Sequence, residues 1–160
     1  MGDLAEFPFG LRTFLRAYRW RRVDPIPWVD PKRPLAQSRV ALVSTAGFVL
    51  DGQLPFDSSI RGGDLSFREI PGDADVAQLV DTHRSESFDH TGMTQDPNLA
   101  FPIDRIRELA ARGRIGEPAP RHLSFMGSIL APGRLVRDTA PEAARRLRED
   151  GVDAALLVPV

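Results

Sequence analysis

Cysteine is absent from the 160 residues, which excludes a disulfide framework, a cysteine-ligated zinc site and a thiol nucleophile within them. Lysine is almost absent: Lys32 stands alone among 21 basic residues, the rest being arginine. GC-rich coding accounts for that bias without any special role for guanidinium. No apolar run approaches the roughly eighteen residues of a membrane helix, so no membrane partner is expected. The start, MGDLAEFPFG, is acidic and has no apolar stretch of signal-peptide type, which points to a cytoplasmic protein. A net charge of −1 leaves no bulk charge for gripping nucleic acid, and none is expected as a partner. The chain has no Walker or dinucleotide glycine fingerprint, no Gly-x-Ser-x-Gly elbow and no internal repeat. What remains, 42% hydrophobic and 27% charged, suffices for one folded domain.

Residues 1–38 read as a basic, proline-rich arm. Leu11, Phe14, Leu15 and Tyr18 have helical spacing, which predicts a short amphipathic helix near 8–19. Pro25, Pro27, Pro31 and Pro34 make the following stretch an extended connection. From residue 39 the pattern changes. RVALVSTAGF at 39–48 reads as a strand buried on both faces, and LSFREI at 65–70 as a short strand closed by Pro71. The polar stretch 81–100 has no periodicity and reads as a long, functional loop. FPIDRIRELAARG at 101–113 reads as a helix, with Ile103, Ile106, Leu109 and Ala110 inward and Gly113 as its stop. HLSFMG at 122–127 is the next strand. Thr139 and Glu142 match a capping box for a helix over 140–150, with Ala144 and Leu147 inward and Gly151 as its cap. VDAALLVPV at 152–160 reads as a final buried strand. Alternating strands and helices predict an α/β fold over 39–160: a mostly parallel sheet with flanking helices, Rossmann-like or flavodoxin-like, cut off after its last strand.

Ligands of such sheets bind at the carboxyl ends of strands, which singles out Ser44, Thr45 and Gly47 after the first strand and Met126 and Gly127 after a later one. Arg68, beside the glycines of GGD at 62–64, can clamp a carboxylate or pair with Asp64 to close a turn. The densest polar cluster contains Asp81, His83, Asp89 and His90. Its spacing matches no zinc signature, so no metal is expected there. Histidine titrates near neutrality, and His83 or His90 suits a general acid or base.

Five segments in fixed order carry a family resemblance: VALVSTAG at 40–47, GGDLSFREIP at 62–71, DPNLAFPIDRIRELAARGRIG at 96–116, SFMG at 124–127 and GVDAALLVPV at 151–160. Together they resemble the selenoprotein B family of glycine, sarcosine, betaine and D-proline reductases, most similar in layout to the short subunit of the D-proline branch. The resemblance spans roughly residues 25–160 and leaves the basic arm outside. It implies reductive cleavage of a carbon–nitrogen bond by a selenolate or thiolate whose residue follows Val160 directly. That nucleophile is absent from these residues, so the 160 residues alone are expected to be inactive. The resemblance also implies no cofactor in this chain, a pyruvoyl group on a partner subunit, and a small amine or amino-acid substrate. Ser44, Thr45, Gly47, Arg68, Asp89, Met126 and Gly127 would then bind substrate, and His83 or His90 would protonate the leaving nitrogen. Ser128-Ile129-Leu130 replaces a glycine-rich continuation, which leaves the substrate open. A last strand without a covering helix is expected to expose apolar surface and favour a homo-oligomer. The alternative is a non-catalytic binding or assembly protein on the same fold. Sequencing the gene past the Val160 codon separates the two: a TGA or cysteine codon followed by α/β-type sequence is expected for the enzyme, and a plain stop for the binding protein.

Overall fold

A computed structural model describes residues 4–18, 22–85 and 90–160, in two units, 1–30 and 31–160. In the first unit the helix predicted from the spacing is α1 (Phe9–Ala17). Its Phe9, Leu11 and Phe14 are exposed, and the Phe14 and Tyr18 rings stand 5.6 Å apart.

The second unit is α/β. Its elements are β1 (Arg39–Ser44), β2 (Phe48–Leu50), β3 (Phe67–Pro71), β4 (Leu79–Asp81), α2 (His90–Gln95), α3 (Ile103–Ala111), β5 (Glu117–Pro118), β6 (Arg121–Phe125), α4 (Ala140–Glu149) and β7 (Ala154–Val158). β1 is the centre of the sheet and pairs in parallel with β5, β6 and β7. β3 lies antiparallel to β6, so the sheet is mixed rather than purely parallel. β2 and β4 form a separate antiparallel ribbon. Among the parallel strands β1, β6 and β7, the second and third in sequence flank the first, which is how a flavodoxin-like order begins. The antiparallel β3 and the ribbon depart from that pattern.

β1 is buried on both faces, as its apolar run predicts. Val40 and Leu42 face one core with Phe101, Ile103 and Ile106 of the α3 region. Ala41 faces the other with Leu123, Phe125 and the α4 residues Ala143 and Leu147. An arginine clasp ties α4 to the sheet. Arg121 bonds Asp150 and Glu69, and Arg146 bonds Glu69 and Glu142.

Several expectations are corrected. The strand predicted over 39–48 is two strands, because Gly47 (φ +68°) turns the chain out of the sheet and Phe48 begins the ribbon. The 81–100 segment is not one loop: it carries the end of β4, then α2. The Thr139 capping box does not form. Thr139 is already helical, at the end of a π turn (Leu135–Thr139), so no helix starts there. Glu142 instead bonds Arg145 and Arg146. Ala143 rather than Ala144 is fully buried beside Leu147, and Leu109 is exposed. The last strand is not buried. β7 pairs with β1 along one edge only, and Leu156 and Leu157 are 46% and 69% exposed. Gly113 and Gly151 do end their helices with positive φ (+65° and +70°). Among the described residues no helix is long and apolar enough to cross a membrane.

His122 fills a break in the sheet. Where β5 gives way to β6, the amide of Leu42 has no strand carbonyl opposite and donates to His122 Nδ1 at 3.0 Å. The ring is completely buried, its centroid 6.2 Å from that of the Phe101 ring and tilted edge-on to it. Burial, with the Arg107 charge adding, lowers its pKa from 6.5 to about 4. The unfolded chain therefore takes up this proton near pH 6.5 and the folded chain only near 4. The stability tied to the neutral ring is complete above pH 6.5 and is lost as pH falls through 4, amounting to about 3 kcal/mol. Urea unfolding between pH 7.5 and 4 is expected to trace that loss. His122→Leu is expected to be destabilised at pH 7.5 by the orphaned Leu42 amide, and to lose this part of the pH dependence.

Candidate functional site

The ends of the parallel strands are stitched together. Thr45 N donates to Val158 O at 3.1 Å, and Gly127 N donates to Thr45 O at 2.9 Å. Val160 N donates to Thr45 Oγ1 at 2.9 Å, and that hydroxyl lies 3.3 Å from Val160 O. β6 and β7 flank β1 on opposite sides, and the strand ends at such a switch point are where α/β sheets bind ligands.

His83 is brought to these strand ends from the ribbon. Thr82 bonds the Gly47 carbonyl through both its hydroxyl (2.7 Å) and its amide (3.2 Å). That seats the His83 backbone on Gly47, where a β-carbon would fall 3.0 Å from His83 Cα. The ring lies against Gly127, where a β-carbon would fall 2.7 Å from Nε2. Two glycines from two strand ends thus admit one histidine.

The charges around it are ordered. Asp81 Oδ1 accepts the His83 amide at 2.8 Å, and Asp81 Oδ2 pairs closely with His90 Nδ1. His90 Nε2 lies 2.7 Å from Ser85 O. Both His90 nitrogens therefore face oxygen acceptors, an arrangement the doubly protonated ring satisfies. His83 Nδ1 instead accepts the Ser85 amide at 3.1 Å, which leaves the ring proton on Nε2. Burial lowers the His83 pKa below 6.5. Asp81 opposes the shift, while His90 and Arg84 add to it. The two rings stand 6.2 Å apart.

The residues singled out from sequence separate into two groups. Thr45, Gly47, Gly127 and His83 meet at the strand ends, with His90 behind. Ser44 and Met126 are completely buried nearby. The Ser44 hydroxyl donates to Ala100 O at 2.6 Å and accepts the Ala46 amide, so it faces the core. Arg68 is committed elsewhere: its guanidinium bonds Leu54 O, Pro55 O and Ser66 Oγ, lies 4.3 Å from the Phe56 ring centroid and is 3.8 Å from Asp64. Asp89 lies outside the described residues. Asp81 and Thr82 position His83 and were not selected for that from sequence. The signal for Asp81 is its place two residues before His83 in an extended segment. Among the described residues, no three His, Asp or Glu side chains converge as a metal site would need.

A family model, glycine/sarcosine/betaine reductase selenoprotein B, matches residues 10–160. The match begins inside α1 and takes in the part of the basic arm from residue 10, which the motifs alone had left outside. The chain is 39% identical over 136 residues to D-proline reductase subunit gamma of Acetoanaerobium sticklandii, covering 84% of this chain and 54% of that protein. It is 28% identical to sarcosine reductase complex component B subunit beta of Peptoclostridium acidaminophilum, covering 85% of this chain and 30% of that protein. It is 26% identical to glycine reductase complex component B subunit gamma of Carboxydothermus hydrogenoformans, again covering 30% of that protein. The chain thus spans about half the length of the first relative and under a third of the other two. No solved structure gives a significant match.

Gly127→Ala tests the close approach at the strand ends. The added carbon meets His83 Nε2 and the Thr45 and Val160 carbonyls at 2.7, 3.0 and 3.2 Å. Two of these are backbone and cannot move aside, so a destabilisation of about 1–3 kcal/mol is expected in urea unfolding. A displaced His83 ring resonance is expected by NMR.

Proposed function

This chain belongs to the glycine/sarcosine/betaine reductase selenoprotein B family, and from that premise we propose that it builds the crevice in which a reductase of this kind cleaves a carbon–nitrogen bond of D-proline or a glycine derivative. The observation that carries the reading is His83, lodged between Gly47 and Gly127 where β1, β6 and β7 end. A selenolate or thiolate supplies the attack, from a residue outside the cysteine-free stretch 1–160. A pyruvoyl group on a partner subunit supplies the hold on the amine. Everything else in the reading falls to this chain's own side chains.

The nitrogen departs with the electron pair of the broken bond and must take up a proton. His83 delivers it from Nε2, the ring atom nearest Gly127, as the imidazolium formed when Nδ1 takes up a proton in place of the Ser85 amide's hydrogen bond, and it returns to the neutral ring. Asp81 fixes the backbone of His83 and pairs with His90. His90 acts as a positioning residue: its charge depresses the His83 pKa, so the proton is held loosely and is given up readily. Thr45 orients the backbone at Val160 through its hydroxyl.

The pH dependence follows from the direction of the shift. His83 titrates below 6.5, so its protonated fraction grows as pH falls below neutrality. In the assembled reductase, the rate of cleavage is expected to rise from pH 8 toward pH 6. His83→Gln is expected to lower kcat by about 10²-fold or more and to abolish that limb. His90→Gln removes a neighbouring positive charge and is expected to move the limb to higher pH. An unchanged kcat and profile in His83→Gln would sink the assignment.

A further inference from the structure

D-proline, glycine, sarcosine and betaine share one feature beyond the nitrogen: a carboxylate on the adjacent carbon. A crevice for any of them needs a cation to hold that group, and Arg68 has its donors engaged by the loop it pins. Two other arginines stand at a hollow of about 420 Å³, a volume within the range of small-ligand sites. Arg61 belongs to the loop ahead of β3. Arg134 lies in the helical turn that passes through the π turn into α4. Phe67, the first residue of β3, is opposite Phe125, the last of β6. The loop carrying Arg61 therefore leaves the sheet at the same end as Gly127.

Among the described residues, no carboxylate lies within ion-pair distance of either arginine, whereas Arg39, Arg107, Arg121, Arg145 and Arg146 are all paired. The nearby acids are already occupied. Asp138 is gripped by both ends of the Arg137 fork. Asp64, the only carboxylate lining the hollow, accepts Ser66 N, Ser66 Oγ and Asp57 N, with Arg68 beside it. Two guanidinium groups line one hollow, neither in an ion pair within 4 Å among the described residues, and together they favour an anion between them. The hollow is also fastened to the crevice. Arg84, next to His83, donates to Ile60 O (3.0 Å) and Ser128 O (3.2 Å). Leu130 N donates to Gly62 O at 3.2 Å, and Gly63 is packed against Ile129.

We propose that this hollow binds the carboxylate of the amino-acid substrate, with Arg61 and Arg134 gripping its oxygens from two sides. The choice of an amino acid as ligand rests on the reductase reading. Binding and turnover are therefore measured separately. The full chain is titrated with D-proline up to roughly 50 mM, enough to detect millimolar affinity, while backbone amides are followed by NMR. Shifts are expected at Gly62, Gly63 and Arg134, and none there with pyrrolidine, the same ring without the carboxylate. Arg61→Gln and Arg134→Gln are each expected to weaken binding at least tenfold. Arg145→Gln, on the exposed side of α4, is expected to leave it unchanged. Absent shifts at those amides, equal shifts with pyrrolidine, or full affinity in both variants overturns the assignment. In the assembled complex, the same variants are expected to raise KM for D-proline while His83-dependent kcat persists. Wild-type protein that turns over none of the four amino acids refutes the reductase reading alone. Turnover with unaltered KM in both variants refutes the hollow alone.

Discussion

Everything in the α/β unit is built outward from the two hydrogen-bonding edges of β1. One edge is served by β7 along five residue pairs. The other is served in pieces, by β5, then by an imidazole, then by β6. The imidazole is what allows one side of the sheet to change strands without orphaning an amide in the core. A lysine or arginine would bring a charge into a site with no counter-ion, and an aliphatic side chain would offer no acceptor. Neutral histidine meets both demands, at the cost of being intolerant of its own protonation. The same strand sets the position of the crevice, since β6 and β7 flank its end on opposite sides.

The crevice and the hollow beside it divide the chemistry by charge. Around His83 the field is mixed: Asp81 draws a proton in, while His90 and Arg84 push it away. Around the hollow the field is positive, because each local carboxylate is already held by an arginine or by amides. Arg84 links the two regions physically, spanning from the loop ahead of β3 to the turn after β6. A substrate bearing both a nitrogen to be protonated and a carboxylate to be held matches that division.

Much of this was legible in the sequence, and the failures have local causes. The apolar run of β1, Ile103 and Ile106 of the α3 stripe and the glycine stops of α3 and α4 behave as the sequence predicts, because burial and backbone freedom act at short range. The split at Gly47 was hidden inside a continuous apolar run, since Phe48 is as buried as Leu42 but in a different element. Arg68 and Ser44 had the right chemistry for a site, yet both are engaged by carbonyls far off in sequence, at Leu54, Pro55 and Ala100. Gly127 and His83 were separately legible, but their contact joins positions 44 residues apart, and no spacing rule reaches that far. Arg61 and Arg134 carried no signal, because what singles them out is that a loop and a helical turn far apart in sequence bring them to one hollow.

The clasp between α4 and the sheet is made only of arginine and carboxylate, in a chain whose one lysine, Lys32, lies outside it. Guanidinium keeps its proton at any pH the fold meets, and it does not react with amine-directed reagents. Acylating enzymes and metabolic acyl donors, which neutralise lysine, therefore have no handle on this joint. The attachment of α4 is a fixed constant of the molecule rather than a quantity the cell can tune through lysine modification.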